Sequence, residues 1–396
     1  MTFFPIPKYV QNVLNILNNA GYTAFLAGGC VRDFLMDKTP SDYDIATSST
    51  PLETRKCFSG IYHVVDTGIK HGTVTVVTED GNIEITTFRT DGDYKDGRHP
   101  ESVLFSTNIE DDLSRRDFTV NAMAYNEKSG IIDLFSGINH IKKRKICCVG
   151  EADRRFSEDA LRILRGLRFA SVLDFFIEEE TAKSIIKNKS LLNKVSKERI
   201  FVEFKKLICG KRASEILIRY KDVISEFIPQ LLEVETEKYT EICKKIDTLE
   251  NDINIRLSSY LSVFSSDVAE TVLKNLKSDN KTVYFVKNTV KGLNTPLKAD
   301  KISVKQFLKA FSPDILEAVL KINKSNKISE ISEEIIRNNE CYCIKQLNVN
   351  GEDISKLGIK GKKAGEALEF LLEKVIQNEV ENTKKTLLEL IKNTLL

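Results

Sequence analysis

Asp42 and Asp44 stand two positions apart in the segment Ser41-Asp42-Tyr43-Asp44-Ile45-Ala46-Thr47. On a strand, both side chains leave the same face. Two carboxylates held side by side repel one another, and a divalent cation relieves the repulsion through hard oxygen ligands. Two such ions, ~3.5–4 Å apart, can activate an attacking hydroxyl and steady a leaving phosphate oxygen. A third carboxylate is expected from a neighbouring strand. Glu84 is the candidate, because it alternates with Ile83 and Ile85 and so faces away from their side. The bland alternatives are a solvated acidic turn for the pair and a surface acid on an edge strand for Glu84.

Upstream, Gly28-Gly29 ends a short strand, Phe25–Ala27, and opens a helix-like run, Val31–Met36. Backbone N–H groups at a glycine turn and a helix start form an anion cradle. Placed beside the acidic strand, it suits a metal-bound triphosphate. Two acids spaced by one residue are a weak signal alone. A Gly-Gly turn followed at this distance by the acidic pair is a much stronger one.

The elements that must position these groups follow from periodicity. Lys8–Ala20 carries Val10, Val13, Leu14 and Leu17 at helical spacing, with Gly21 to end it. Asp42–Ala46 is expected as a strand, and Thr73–Thr78 and Ile83–Phe88 as a hairpin around Glu79-Asp80-Gly81-Asn82. This part reads as helices with a small mixed sheet. After about residue 150, proline and glycine become sparse and helical patterns dominate, with breaks near Gly210, Pro229, Pro296 and the 351–365 segment. The whole is α+β: a mixed sheet first, then an all-helical remainder. No short repeat or low-complexity tract interrupts it.

A chain of 396 residues is expected to form two to four structural units. No apolar stretch approaches the ~20 residues of a membrane helix, and the N-terminus lacks a signal-peptide pattern, so a cytoplasmic protein with no membrane partner is expected. The net charge of +2 means that any nucleic-acid surface must be local. The eight cysteines include no CxxC pair and read as free, mostly buried thiols. No histidine follows His140, which excludes a histidine-rich metal phosphohydrolase domain from the rest of the chain.

With these residues in place, four ordered motifs carry a resemblance. Gly28-Gly29 with Asp42 and Asp44, then Arg115-Arg116-Asp117-Phe118-Thr119-Val120-Asn121-Ala122, then Glu158-Asp159-Ala160-Leu161-Arg162, then Glu198-Arg199 through Glu203 to Lys206, resemble the class II tRNA nucleotidyltransferases and bacterial poly(A) polymerases. The tail extends the resemblance to nearly the whole chain. Ser136, where the family often has glycine, and His140, where an acid is common, depart from it. The resemblance implies a polymerase-β-like nucleotidyltransferase head over 1–140, a nucleotide-selecting helical neck over 141–208, a helical body over 209–300 and a tRNA-binding tail over 301–396. It implies Mg²⁺ at Asp42 and Asp44, with tRNA, CTP and ATP as partners. It places the ribose against Arg115-Arg116-Asp117 and includes Asn121 in that motif. Arg32, Arg154, Arg155 and Arg165 are further phosphate candidates, each otherwise a solvated arginine.

Asp159 and Arg162 are expected to share a helical face, with Ser157 as N-cap. An acceptor beside a fork of donors matches the amino group and ring acceptors of cytosine or adenine. Uracil and guanine would set a carbonyl against Asp159, and unpaired buried polar groups cost ~1–3 kcal/mol. Without the other motifs, a helix-capping role is the simpler reading. Arg199, Glu203 and Lys206 read as a salt-bridge ladder steadying the neck. Thr90–Ser102, polar and glycine-rich, reads as a loop near the active site, and in the family such a loop helps the pocket switch from CTP to ATP. Near the C-terminus, Lys360, Lys362 and Lys363 in Gly358–Gly365 open a helix and form a candidate phosphate site for RNA.

The motifs leave complete CCA addition, CC-only or A-only addition and poly(A) synthesis open, with the loop and tail favouring the first. The reading outside catalysis is an RNA-binding protein with an inactive head, against which the intact Asp42, Asp44, Glu84, Asp159 and Arg162 argue. The oligomeric state, monomer or dimer, is not encoded legibly.

Overall fold

The computed structural model describes residues 4–92 and 103–395. The chain divides into two compact units, 1–243 and 244–396.

The first unit opens with α1 (Lys8–Asn19), which buries Val10, Val13, Leu14 and Leu17. The chain leaves it through Gly21, whose φ is +88°. Seven strands form one mixed sheet: β1 (Ala24–Ala27), β2 (Asp44–Thr47), β3 (His63–Gly68), β4 (Thr73–Val77), β5 (Asn82–Thr87), and, after the short hairpin of β6 (Arg89–Asp91) and β7 (Val103–Phe105), β8 (Met123–Asn126) and β9 (Gly130–Asp133). The order across the sheet is β3-β4-β5-β2-β1-β8-β9. All neighbours are antiparallel except β2 and β5, which run parallel. The four residues of β1, near the middle of the sheet, are all buried.

Period-two alternation assigns the faces. Phe25, Ala27 and Ala46 share one apolar cluster with Phe88, Leu113 and Ala124, so Leu26 and Ile45 look the other way. Asp44 lies on the Ala46 side. Over that side packs α4 (Ile109–Ser114), through Leu113. α2 (Gly29–Leu35) leads out of β1, α3 (Pro51–Phe58) starts at a Thr50–Glu53 capping box, and α5 (Gly137–Lys142) follows β9. Ser136, at φ +61°, occupies the left-handed region, which explains why a glycine fits that position well.

The segment beyond the sheet is helical: α6 (Ala152–Glu158), α7 (Leu161–Leu173), α8 (Glu179–Asn188) and α9 (Lys197–Ile208), then α10 (Ala213–Arg219) and α11 (Lys221–Ser225). One exception to the all-helical expectation stands here. Lys145–Ile146 pairs in parallel with Phe176–Ile177, a two-stranded ladder too short to leave a pattern in sequence. α7 is seated on the head by Gly166, where an added Cβ would lie 3.0 Å from the Phe118 ring. It is seated on α9 by the Ser171 hydroxyl, which donates to the Leu207 carbonyl at 2.7 Å.

α12 (Thr236–Ile246) crosses the division between the units. The second unit is helical throughout its described residues: α13 (Ile253–Leu261), α14 (Ser266–Asn275), α15 (Asn280–Leu293), α16 (Lys301–Ala310), α17 (Pro313–Asn323), α18 (Asn326–Arg337), α19 (Gly351–Ser355), α20 (Lys362–Ile376) and α21 (Lys384–Leu395), with one short 3₁₀ turn at Ile344–Gln346. It holds one core around Phe307, Ile315 and Val319 and another around Ile354, Leu371 and Ile391. No helix among the described residues is long and apolar enough to cross a membrane. The eight cysteines are all free thiols.

Candidate active site

Asp44 opens β2 and pairs in parallel register with Glu84 on β5. Parallel partners in register project to the same face, so the two carboxylates are neighbours across the sheet. Asp42 lies one strand step earlier, just outside β2. Asp42, Asp44 and Glu84 are exposed, while Tyr43, Ile45, Ile83 and Ile85 between and beside them are buried. Although Asp44 is open to solvent, the surrounding protein desolvates it, and its pKa is raised above the ordinary aspartate value. Burial is the largest cause; Arg116 opposes it, and the charges of Glu84 and Asp42 add to it. Among the described residues no three acidic, histidine or cysteine side chains are gathered tightly enough to ligate an ion as they stand. The donor set nevertheless fits a divalent cation: Asp44 and Glu84 lie side by side across the sheet and Asp42 is near enough for its charge to act on Asp44, three hard oxygen donors repelling one another in the sense that a cation relieves.

The glycine turn sits against this face. Gly28 has φ +81° and ψ −126°, and its N–H donates to the Met123 carbonyl at 3.0 Å. A Cβ there would lie 2.5 Å from Arg116 Nη1. Arg116 is held in that position by Asp112 Oδ2, through Nε at 3.2 Å and Nη2 at 3.0 Å, while Nη1 donates to the Asn121 carbonyl at 3.2 Å. Arg32, in the last turn of α2, donates Nη1 to Asn121 Oδ1 at 2.6 Å and grips Asp33 with Nε and Nη2. Arg165 reaches from α7 to Asp117 at 2.6 Å. Burial opposes the Asp117 charge, but Arg165 and Arg162 outweigh it and hold the carboxyl below the usual aspartate range.

Asp159 and Arg162 do not share one continuous helix. α6 ends at Glu158, and Asp159 is extended at φ −140° and ψ 104°. At the break Asp159 Oδ1 accepts the Leu161 N–H at 3.0 Å, so Asp159 itself, and not Ser157, satisfies the first turn of α7. Ser157 instead donates to the Arg154 carbonyl. The two residues remain one turn apart, with the Arg162 N–H on the Asp159 carbonyl at 2.9 Å. Asp159 Oδ2 accepts from Arg199 of α9 at 2.9 Å. The nearly buried Arg162 guanidinium donates from Nη1 to Glu158 at 2.7 Å and to the Arg155 carbonyl, and from Nη2 to the Arg115 carbonyl at 3.0 Å. Of its five N–H groups, Nε–H and one Nη2–H are left for a ligand edge.

Asp42, Asp44, Glu84, Gly28, Gly29, Arg32, Arg115, Arg116, Asp117, Asn121, Asp159, Arg162 and Arg165 thus belong to connected elements of the first unit. Arg154 stands apart: its side chain is 71% exposed and rests on Glu158. Arg199 and Glu203 do not form a ladder along α9; Glu203 pairs with Arg168 at 2.5 Å, so both tie α9 to the α6–α7 segment. In the second unit, Lys360, Lys362 and Lys363 are exposed around Gly361, the N-cap of α20. Residues 93–102, most of the expected loop, lie outside the described residues; β6 and β7 flank them, Arg89 pairing with Phe105. Sequence reasoning missed Asp112 and Glu158 as anchors of the arginines. The signal for the first was present, since Asp112 precedes Arg115 and Arg116 at helical i+3 and i+4 spacing.

Similarity to known proteins follows the same layout. Residues 24–147 match the poly A polymerase head domain, 174–231 the probable RNA and SrmB-binding site of polymerase A, and 250–391 the tRNA nucleotidyltransferase domain 2. The head with its paired carboxylates therefore defines a nucleotidyltransferase. The CCA-adding enzyme of Lactobacillus delbrueckii subsp. bulgaricus is 48% identical over 213 residues, an alignment that spans 54% of this chain and 52% of that relative. The CCA-adding enzyme of Ligilactobacillus salivarius is 34% identical over 406 aligned positions, covering 98% of this chain and 96% of that one. The crystal structure of the Bacillus stearothermophilus CCA-adding enzyme in complex with CTP superposes with a TM-score of 0.79 at 30% identity, covering 98% of both chains. The chain belongs to the CCA-adding enzyme family.

Proposed function

We propose that this protein adds C, C and A in turn to the 3′ end of tRNA, from CTP and ATP, without a template. The terminal 3′ hydroxyl of the RNA attacks the α-phosphorus of the nucleotide; the new P–O bond forms as the α–β bridge breaks, and pyrophosphate leaves. The observation that carries this reading is the side-by-side register of Asp44 and Glu84 at the glycine turn, with Asp42 one step away. Bound at Asp42 and Asp44, Mg²⁺ would supply charge neutralisation for the attacking and leaving oxygens.

The remaining work belongs to the chain's own groups. The N–H groups of Gly29 and the start of α2, with Arg116, receive the phosphates, the Gly28 N–H being held by the Met123 carbonyl. Arg115, Arg116 and Asp117 face the ribose, with Arg32 and Asn121 behind them and Arg165 fixing Asp117. The Asp159 carboxylate keeps lone pairs beyond its bonds to Arg199 and Leu161, and accepts the amino group of cytosine or adenine. Arg162 donates to the ring acceptors beside it. In this division 1–140 transfers, 141–208 selects, and 209–300 with 301–396 hold the RNA, the latter through Lys360, Lys362 and Lys363.

The test is incubation with tRNA lacking CCA, Mg²⁺ and labelled CTP and ATP, followed by mapping of the added bases. Ordered C, C and A is the expected product. Long A tracts identify a poly(A) polymerase, and A added only after existing CC a partial enzyme; either refutes the reading. Asp42→Ala is expected to abolish incorporation with tRNA affinity nearly intact, and retained turnover would refute the metal assignment.

A further inference from the structure

Asp112 has no solvent exposure. A buried carboxylate is costly unless fully paired, and this one is paired twice. Oδ1 accepts from Arg115, through Nε at 3.0 Å and Nη2 at 2.5 Å. Oδ2 accepts from Arg116, through Nε and Nη2 at 3.2 and 3.0 Å. Each oxygen therefore meets one side-on guanidinium, and both arginines are turned by the same anion. Burial works against its ionisation, but Arg116 and Arg115 outweigh it and keep the carboxyl below the usual range.

What the two arginines reach is different. Arg116 lies against Gly28 and the Asn121 carbonyl, beside the acidic face. Arg115 offers its carbonyl to Arg162 Nη2 at 3.0 Å, at the base-reading end. One buried carboxylate thus stands behind both the phosphate–ribose side of the site and the base side, and α4 carries it there by packing over β2 and β8.

We propose that Asp112 is a positioning residue that sets Arg115 and Arg116 for the incoming nucleotide and keeps Arg162 in register with them. This rests on the nucleotide-site reading above. Asp112 touches no substrate; it acts through the arginines. An asparagine at 112 has one acceptor oxygen and turns its NH₂ toward one guanidinium, donor against donor, so at least one arginine swings away.

The experiment compares Asp112→Asn, Asp112→Glu, Arg116→Ala and the Asp112→Asn/Arg116→Ala pair in the full chain. It reads KM and kcat for CTP and ATP, UTP misincorporation, tRNA affinity and thermal melting. The expected result for Asp112→Asn is a nucleotide KM raised about tenfold or more, the loss of one charge-assisted bond, with tRNA affinity unchanged and UTP misincorporation increased. Asp112→Glu, which restores both acceptors on a longer stem, recovers part of the affinity. The double variant is expected to bind nucleotide no worse than Arg116→Ala. A merely structural role would lower melting and the active fraction while leaving KM unchanged; that outcome, or additive effects in the double variant, overturns the proposal. If Asp112→Asn does not fold, Asp112→Glu decides: a wild-type KM with lowered melting overturns the proposal, and a raised KM with tRNA affinity unchanged supports it. A wild-type nucleotide KM in Arg116→Ala would instead overturn the site reading itself.

Discussion

Replacing Gly28 by alanine tests the geometry of the phosphate end directly. At φ +81° and ψ −126° the backbone lies where a Cβ is strained, at a cost of ~1–3 kcal/mol. The new methyl would also sit 2.5 Å from Arg116 Nη1, so the guanidinium must move. Moving it breaks its bond to the Asn121 carbonyl, ~1.5–3 kcal/mol for a bond from a charged donor. Expressed in the transition state, that loss lowers kcat/KM for CTP by about 10- to 150-fold. Gly21 supplies the control. Its φ is +88° as well, but nothing lies within 4 Å of its Cβ position, so Gly21→Ala carries backbone strain alone. The assay is CTP incorporation into tRNA lacking CCA, with urea unfolding measured in parallel on both variants. Gly21→Ala should lose ~1–2 kcal/mol of stability and keep its activity. Gly28→Ala activity equal to that of Gly21→Ala would refute the placement of Arg116 against the glycine turn.

Two further outcomes follow from the same contacts. Arg199→Ala removes the partner of Asp159 Oδ2; because the pair is partly open to solvent, a change of about tenfold in CTP-over-UTP selectivity is expected, with catalysis by CTP less affected, and unchanged selectivity would sever Arg199 from base reading. Acid should unfold the first unit through Asp112 and Asp117. Their folded pKa values are depressed, so their stabilisation is fully present above the unfolded value of about 3.9 and is lost as pH falls through the lower folded values. Asp112→Asn should therefore flatten the fall of the urea midpoint below about pH 4, and profiles parallel to wild type would argue against it.

Much of the site was legible because it obeys local rules. The alternation of Asp42, Tyr43, Asp44 and Ile45, and of Ile83, Glu84 and Ile85, is a property of strands, and it appears in the structure as exposed acids between buried neighbours. What pairs β2 with β5, placing Glu84 beside Asp44, is non-local, yet a third acid on a strand next to the pair was the natural expectation. The misread feature was the helix around 157–165. Its apolar spacing is continuous, and nothing nearby forbids a helix; the break depends on Asp159 bonding back to Leu161 and across to Arg199, forty residues on. Asp112 was passed over for a related reason. In a helix rich in acids, one aspartate looks like its solvated neighbours, and only the packing of α4 on the sheet makes it the buried one. The two-residue ladder of Lys145–Ile146 with Phe176–Ile177 is shorter than any pattern could flag.

The pairing of the arginines bears on how such a site holds a polyanion. Arg32 rests on Asp33, Arg115 and Arg116 on Asp112, Arg162 on Glu158, Arg165 on Asp117 and Arg199 on Asp159. The site is therefore not a bare cluster of positive charge, consistent with a whole chain of net charge only +2. Pre-paired guanidiniums attract a triphosphate less from afar than unpaired ones would, but they are already oriented when it arrives and need little reorganisation. On the function proposed above, with the arginines largely neutralised by their anchors, most of a nucleotide's charge would be met by the backbone amides at the start of α2 and by a cation on Asp42 and Asp44. The arginines would then serve more to orient phosphate, sugar and base than to supply bulk affinity. The template-free selection proposed above calls for that balance, because a pocket that bound any nucleotide tightly through its phosphates would have little binding energy left to distinguish one base from another.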